Sequence, residues 1–326
     1  MKAVWYERTG PAREVLVYGE MPTPNPGPGE VLVRLAASGV NPSDWKARGG
    51  SRPMIAPRVI PHSDGAGVIE AAGPGVDPAR IGQRVWIWNG QWKRPFGTAA
   101  QYIALPATQA VPLPAGTSFE AGACLGIPAL TALHAVRTDG GVAGQSVLVA
   151  GGAGAVGHYA IQFARLLGAR QVIATVSSPQ KAQHAMAAGA DACVDYRRED
   201  AAERVRELTE GRGVDRVIEV DIAANAALIP RLLAPGGLCV VYGSGAAEFT
   251  LPFFPLILGG FAFRFFIVYE LDAASRAAAE ALLAGFLAEE RLVHAIAGAL
   301  PLAECAAAHE LVQSGDAMGN IVLRVA

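Results

Sequence analysis

The sequence predicts an α/β protein in which a β-rich half precedes a doubly wound parallel sheet. Three observations carry that expectation. The chain has 326 residues, 52% of them hydrophobic and only 17% charged, enough for two domains with large cores. Its first third reads as short strands broken by turn residues. From Ser146 onward, strands alternate with helical segments around a glycine-rich turn.

Taken in order, Glu30–Ala37, Gly67–Ala71 and Arg84–Trp88 have the apolar, β-favouring composition of strands. The stretch PTPNPGPGE at 22–30 is a connection that neither a helix nor an inner strand tolerates. No helix of convincing length is expected before residue 120. The pattern changes near Gly122. Strands are then expected at Ser146–Ala150, Gln171–Val176, Ala192–Asp195, Val214–Val220 and Leu238–Tyr242. The helix after the first of these carries Val156, Ala160, Phe163 and Leu167 on one face, as a helix covering a sheet requires. Further helices are expected at Ala273–Glu289 and Leu302–Ser314, and a closing strand at Asn320–Val325. The apolar run Phe253–Val268 is too short for a membrane span and is interrupted by Pro255, Gly259, Gly260 and Arg264. It reads as a buried strand region or a subunit contact. The expected domains are residues 1–121, 122–262, and a 263–326 segment returning to the first.

Composition narrows the function classes. A formal charge of −2 leaves no basic footprint for nucleic acid. Cys124, Cys193, Cys239 and Cys305 lie far apart, so neither a disulfide framework nor a CxxC zinc cluster is signalled. Reduced thiols and an N-terminus without an apolar signal core lead to the expectation of a cytoplasmic protein.

The sharpest signal is Val147-Leu-Val-Ala-Gly-Gly-Ala-Gly-Ala-Val-Gly157. It holds G-x-G-x-x-G at Gly152, Gly154 and Gly157, after an apolar strand and before an amphipathic helix. Gly152 permits the tight turn, Gly154 lets backbone approach a pyrophosphate, and Gly157 lets helix and strand pack closely. The diphosphate then rests on unpaired N–H groups and the positive end of the helix dipole. A dinucleotide site follows.

About 20 residues beyond such glycines, NAD enzymes carry an acid for the ribose 2′-hydroxyl. This chain has no carboxylate from Gln171 to Lys181. Ser177, Ser178 and Lys181 would instead hydrogen-bond and neutralise a 2′-phosphate, so NADPH is the expected cofactor. The plainer roles are an N-cap for the serines and a solvated charge for Lys181.

Val40-Asn41-Pro42-Ser-Asp44, Ser63-Asp64-Gly65-Ala66-Gly67-Val68, Gly126-Ile127-Pro128-Ala-Leu-Thr131-Ala132 and the glycine turn occur in one order and spacing. With the closing Gly319-Asn320-Ile-Val-Leu, they resemble the zinc-free medium-chain dehydrogenases/reductases across essentially the whole chain, and within them the quinone oxidoreductases related to zeta-crystallin. The resemblance implies a GroES-like β-rich domain for substrate, a Rossmann domain for NADPH, an active-site cleft between them, and a homodimer. It places Asn41 and Thr131 near the nicotinamide, Ala155 and Val156 along the diphosphate, and Ser177, Ser178, Lys181 and Tyr196 around the 2′-phosphate. Tyr242, Gly243, Ser244 and Asn320 would border the cofactor. Plainer alternatives are an edge aromatic at Tyr196 and a buried hydroxyl at Thr131.

Zinc-dependent relatives need a cysteine in the Ser38–Ser43 loop, a histidine at position 63 and a third ligand near Ile127. This chain offers no cysteine, Ser63 and an apolar residue, with His62 one position early and Cys124 offset. Tetrahedral zinc needs convergent ligands, so no metal is expected there. Where several quinone reductases carry a tyrosine two residues after the acid of Asn41–Asp44, this chain reads Trp45-Lys46. Either Trp45, Trp88 or Trp92 then supplies the aromatic wall, or the pocket differs from that of those reductases.

Without a metal, the easiest hydride acceptors are electron-poor quinones and α,β-unsaturated carbonyls. The expected activity is NADPH:quinone reduction, with Asn41 orienting the acceptor and Asp44 a weaker catalytic candidate, more simply a structural carboxylate. The rivals are an alkenal, enone or enoyl-thioester reductase, and a non-catalytic NADPH-binding structural or RNA-binding protein. A small-molecule substrate, no nucleic acid and no membrane complete the expectation.

Overall fold

Two runs of chain, Met1–Pro128 and the segment from Ala284 onward, build one unit of the computed structural model; Ala129–Leu283 builds the other. Residues 1–325 are described. The division falls at Pro128 and Ala284 rather than near 121 and 262, because the second unit keeps one more strand and much of a helix.

The β-rich unit opens with an antiparallel ribbon of β1 (Lys2–Trp5) and β2 (Val17–Glu20). β3 (Glu30–Val40) and β4 (Asp64–Ala72) follow as its longest pair, antiparallel, both longer than their sequence signals. β5 (Arg84–Ile87), β6 (Tyr102–Pro106) and β7 (Ala110–Pro112) add to this sheet, β6 on β3 and β7 on β5. The core is made by the alternate residues Val31, Val33 and Leu35 with Ile69, Val85, Ile87, Ile103 and Leu105, all buried. No long helix was expected before residue 120, and the seven residues Pro42–Arg48 form a short one. It is a local device: Pro42 fixes the first helical position, and Asp44 reaches back to the N–H of Asn41.

In the second unit, β8 (Ser146–Val149), β9 (Gln171–Val176), β10 (Ala192–Asp195), β11 (Val214–Glu219), β12 (Leu233–Val241) and β13 (Ala262–Phe265) form a parallel sheet in the order β10-β9-β8-β11-β12-β13. β9 and β10 have the bounds expected from sequence. β8 sits where the order reverses, between β9 and β11, and the glycine turn leaves its carboxyl end. Phe253–Val268 departs from its expected burial. Phe253–Gly259 is a helix with Phe253, Phe254 and Leu258 at 66%, 72% and 85% exposure, and β13 follows it. An apolar run carries no information about which of helix or strand it forms.

After the helix Ala273–Ala288, β14 (Ile296–Pro301), unanticipated from sequence, and β15 (Asn320–Arg324) return the chain to the β-rich sheet. β15 pairs with β14 on one side and β3 on the other. The helix Cys305–Ser314 between them buries Cys305, Ala308 and His309. Among the described residues, no helix is long and apolar enough to cross a membrane.

Candidate functional site

The glycine turn is a cradle that side chains would fill. A Cβ on Gly152 would stand 2.6 Å from Cβ of Ala174, and one on Gly157 would stand 2.2 Å from the carbonyl oxygen of Gly151. Gly154 differs, since its Cβ would meet only the Gly151 oxygen, at 3.3 Å. Close packing therefore dictates glycine at 152 and 157, while at 154 the space beside the backbone stays open. Thr175 on β9 fixes the turn, accepting the Gly151 N–H on its hydroxyl at 3.1 Å and the Gly152 N–H on its carbonyl at 3.0 Å. The helix Ala155–Leu166 begins at once with Gly154 as its N-cap, so Ala155, Val156 and Gly157 present the first N–H groups. The residues present fit a dinucleotide diphosphate, a group that a negatively charged ligand and a helix amino end jointly favour.

At the end of β9, Ser178 caps the helix Pro179–Ala187, its hydroxyl accepting the Lys181 N–H at 3.3 Å. A cleft of about 320 Å³ opens beside it, lined by Val176, Ser178, Pro179, Ala182, Cys193, Asp195, Arg198 and Glu199. Arg198, which sequence reasoning passed over, supplies a cation, held 3.7 Å from Asp195. Its signal was present as the Arg197-Arg198 pair after β10. The cleft's carboxylates, Asp195 and Glu199, are tied by the backbone N–H of Arg197 and of Asp195 respectively. Tyr196 is 53% exposed at this edge. On the far side of β8, Gly243 approaches Val220 so closely that a Cβ would lie 2.2 Å from its oxygen, Tyr242 N–H donates to the Glu219 carbonyl, and Ser244 hydroxyl donates to Ala246. Thr131 is buried in the helix Leu130–Arg137.

In the β-rich unit, Asn41 and Asp64 form a buried pair. Asn41 Nδ2 donates to Asp64 Oδ2 at 2.9 Å, and the Ile127 N–H donates to the same oxygen at 3.0 Å. Gly126 is required here, because a Cβ would lie 2.3 Å from Asp64 Oδ1 and 2.7 Å from the Ile87 oxygen. Burial holds the Asp64 carboxyl well above the usual range, against the pull of Asn41 and Ile127. Burial likewise pushes Asp44 up to about 7, against its bond from the Asn41 N–H. Asp44 thus spends its carboxylate holding the turn into its helix. Trp45 and Trp92 carry cations on their faces, Lys46 at 5.8 Å and Arg52 at 5.0 Å. Asn320 is buried, its amide donating to the Ala295 oxygen at 3.0 Å, a bond that helps to hold β15.

A parallel sheet with a glycine turn at its switch point, and a separate, largely antiparallel sheet carrying a buried amide–carboxyl pair, fit a two-unit dinucleotide-dependent oxidoreductase. Family comparisons agree. Residues 27–115 match the alcohol dehydrogenase GroES-like domain, and residues 155–284 match the zinc-binding dehydrogenase domain. A 2-haloacrylate reductase of Burkholderia sp is 34% identical, over 99% of this chain and 98% of its own. A crystal structure of an NAD-dependent alcohol dehydrogenase superposes with TM-score 0.93 at 32% identity, covering all of both chains. The Escherichia coli quinone oxidoreductase complexed with NADPH gives TM-score 0.89 at 27% identity, covering 99% of this chain and 100% of its own. The chain belongs to the medium-chain dehydrogenase/reductase family.

Proposed function

We propose that the protein is an NADPH-dependent quinone oxidoreductase working without a catalytic zinc. The observation that carries the cofactor reading is the glycine cradle followed by a β9 terminus with hydroxyls and Lys181, Arg198 beyond β10 lining the same cleft, and no ribose-binding acid between Gln171 and Lys181. Bound NADPH supplies the hydride. Ala155–Gly157 hold the diphosphate by their N–H groups, and Ser177, Ser178, Lys181 and Arg198 hold the 2′-phosphate. Thr131, Tyr242, Gly243 and Ser244 line the rest of the dinucleotide. Asn41, held by Asp64, orients the acceptor, and aromatic surface from Trp45, Trp88 or Trp92 excludes water around it. Ser63 and Ile127, which stand at two of the places for catalytic zinc ligands, support hydride transfer to an acceptor already electron-poor.

A second reading is reduction of an activated carbon–carbon double bond, favoured by the full-length match to the 2-haloacrylate reductase. We assign the protein to a homodimer, supported by the exposed Phe253–Gly259 helix beside β13, the outer strand of its sheet. NADPH oxidation by the metal-stripped protein, with benzoquinone, phenanthrenequinone, 2-alkenals and 2-haloacrylates offered separately, tests the reading. Quinone turnover upholds it, turnover of alkenals or haloacrylates alone selects the second, and preference for NADH overturns the cofactor assignment. Light scattering on the eluted protein decides the dimer.

A further inference from the structure

Away from the cofactor turn, the β-rich unit buries a cluster that the proposed reaction does not use. His62 Nε2 and His309 Nε2 lie 2.9 Å apart, and Cys305 Sγ lies 3.8 Å from His62 Nε2. The three ligand atoms all fall within 4.8 Å of one another, and each residue is at most 1% exposed. His62 precedes β4; Cys305 and His309 stand one turn apart on a single face of the helix Cys305–Ser314. His62 holds φ +77°, a left-handed conformation rare outside glycine. Backbone held there in a folded protein is a recurrent mark of functional geometry.

Hydrogen-bond accounting fixes the tautomer. The carbonyl of Asp64 can only accept, so Thr98 spends its one hydroxyl proton there. Thr98 therefore accepts from Ser38, at 2.8 Å. Ser38 then has no proton for His62, and His62 Nδ1–H donates to Ser38 Oγ at 2.9 Å. His62 Nε2 is left as a bare lone pair pointing at the cluster, and His309 Nε2–H donates to it. A ring nitrogen held bare by a hydrogen-bond chain on the opposite nitrogen is the outer-sphere arrangement that supports a metal-bound histidine.

We propose that His62 Nε2, His309 Nε2 and Cys305 Sγ form a structural binding site for a zinc-class divalent cation, separate from any catalytic metal of the family. Tetrahedral zinc with ordinary bond lengths places two nitrogens about 3.3 Å apart and a nitrogen and sulfur about 3.6 Å apart. Two of the three separations, 2.9 and 3.8 Å, lie within a few tenths of an ångström of these values, and the third, Cys305 Sγ to His309 Nε2, is within 4.8 Å. Binding breaks the Cys305 S–H bond and forms a metal–thiolate bond, releasing the proton to solvent. The His309 proton moves from Nε2 to Nδ1, an atom without a hydrogen-bond partner among the described residues. A divalent ion and a thiolate leave a net single positive charge and no change of oxidation state. The cation clamps the returning helix to the early chain, closing a loop from His62 to Cys305.

Cobalt(II) is the probe, added to chelator-stripped full-length protein both in the native state and during refolding, since the site is buried. The expected result is a thiolate-to-cobalt charge-transfer band with intense visible bands of tetrahedral cobalt, saturating at one ion per chain, displaced by zinc, with release of a single proton. Cys305→Ser should abolish the charge-transfer band, while Cys193→Ser, altering a more accessible thiol elsewhere, should keep it. Ser38→Ala removes no ligand and should weaken affinity about 10–100-fold while retaining the band. Circular dichroism confirms folding of each variant. Absence of the band in both native and refolded protein, or its survival in Cys305→Ser, overturns the proposal. If Cys305→Ser does not fold, an unchanged affinity in Ser38→Ala does so.

Discussion

The contrast between Gly154 and Gly157 yields the most exacting prediction. A Cβ at Gly157 would lie 2.2 Å from the Gly151 oxygen and 2.9 Å from the Gly152 Cα, both backbone atoms that cannot swing aside. Ordinary contact needs more than 3 Å, so helix and turn must part by roughly 1 Å, an overpacking cost of about 1–3 kcal/mol. For a unit of this size that lowers the thermal midpoint by roughly 2–12 °C. At Gly154 the sole contact, 3.3 Å to the Gly151 oxygen, relaxes by tenths of an ångström. Gly154→Ala should therefore unfold within about 2 °C of the parent, yet its methyl would occupy the approach of the diphosphate. Loss of one or two charge-assisted backbone hydrogen bonds, each about 1.5–3 kcal/mol, weakens NADPH binding by at least about tenfold. Differential scanning fluorimetry and NADPH fluorescence titration on the two alanine variants read both quantities. The reasoning fails if Gly154→Ala destabilises as much as Gly157→Ala, or if it binds NADPH like the parent.

Other outcomes follow from the same geometry. Arg198→Ala should raise the Kd for NADPH by about tenfold and leave NADH unchanged, because the exposed guanidinium, held only loosely by Asp195 at 3.7 Å, is the proposed partner of the 2′-phosphate; equal losses for both cofactors would remove Arg198 from that role. Arg216, buried, donates to the carbonyls of Thr138 at 2.6 Å and Gly141 at 2.9 Å. Arg216→Met should cost about 2–4 kcal/mol in urea unfolding by orphaning them, and a change below 1 kcal/mol would contradict this. Burial raises the Glu219 carboxyl above its ordinary value of 4.5. The folded state then holds a proton that the unfolded chain has lost, so this group's contribution falls as pH rises from about 4.5 through the folded value. Glu219→Gln should flatten that decline above about pH 4.5, and an unchanged slope would show that another group sets it.

How far the chain could be read in advance depended on the range over which each feature is encoded. β9 and β10 were legible to the residue because β-branched and apolar runs there end at Ser177 and at Tyr196-Arg197, where the pairing also ends. The cofactor turn was legible because its three glycines answer to contacts within a few residues or on the next strand. The helix Pro42–Arg48 was missed, being short enough that its cap rather than any periodicity makes it. Of the two readings of Phe253–Val268, a buried strand region or a subunit contact, exposure of Phe253, Phe254 and Leu258 removes the first, because apolar composition is silent on whether a neighbour lies in the same unit. The hydrogen bond from Asn320, a residue expected at the cofactor, to the Ala295 carbonyl is a pairing visible only once β14 and β15 are placed. His62 could not be joined to Cys305 or His309 from sequence, since 243 and 247 positions separate them.

The discontinuity of the β-rich unit bears on how the protein is made. Its sheet needs β15 against β3, and its helix Cys305–Ser314 against Pro42–Arg48, yet Ala129–Leu283 is synthesised in between. At roughly 5–20 residues per second, the ribosome leaves β3 without that neighbour for on the order of 10–40 s after Pro128 is added. The contiguous parallel-sheet unit can complete itself within that interval. Its early neighbour waits with an open edge at β3 and an apolar face uncovered, the condition in which chaperones bind and aggregation begins. Slow translation of the Ala129–Leu283 segment should therefore lower soluble yield, whereas a circular permutant beginning in the chain between Ala284 and β14 would present the whole β-rich unit in one continuous stretch.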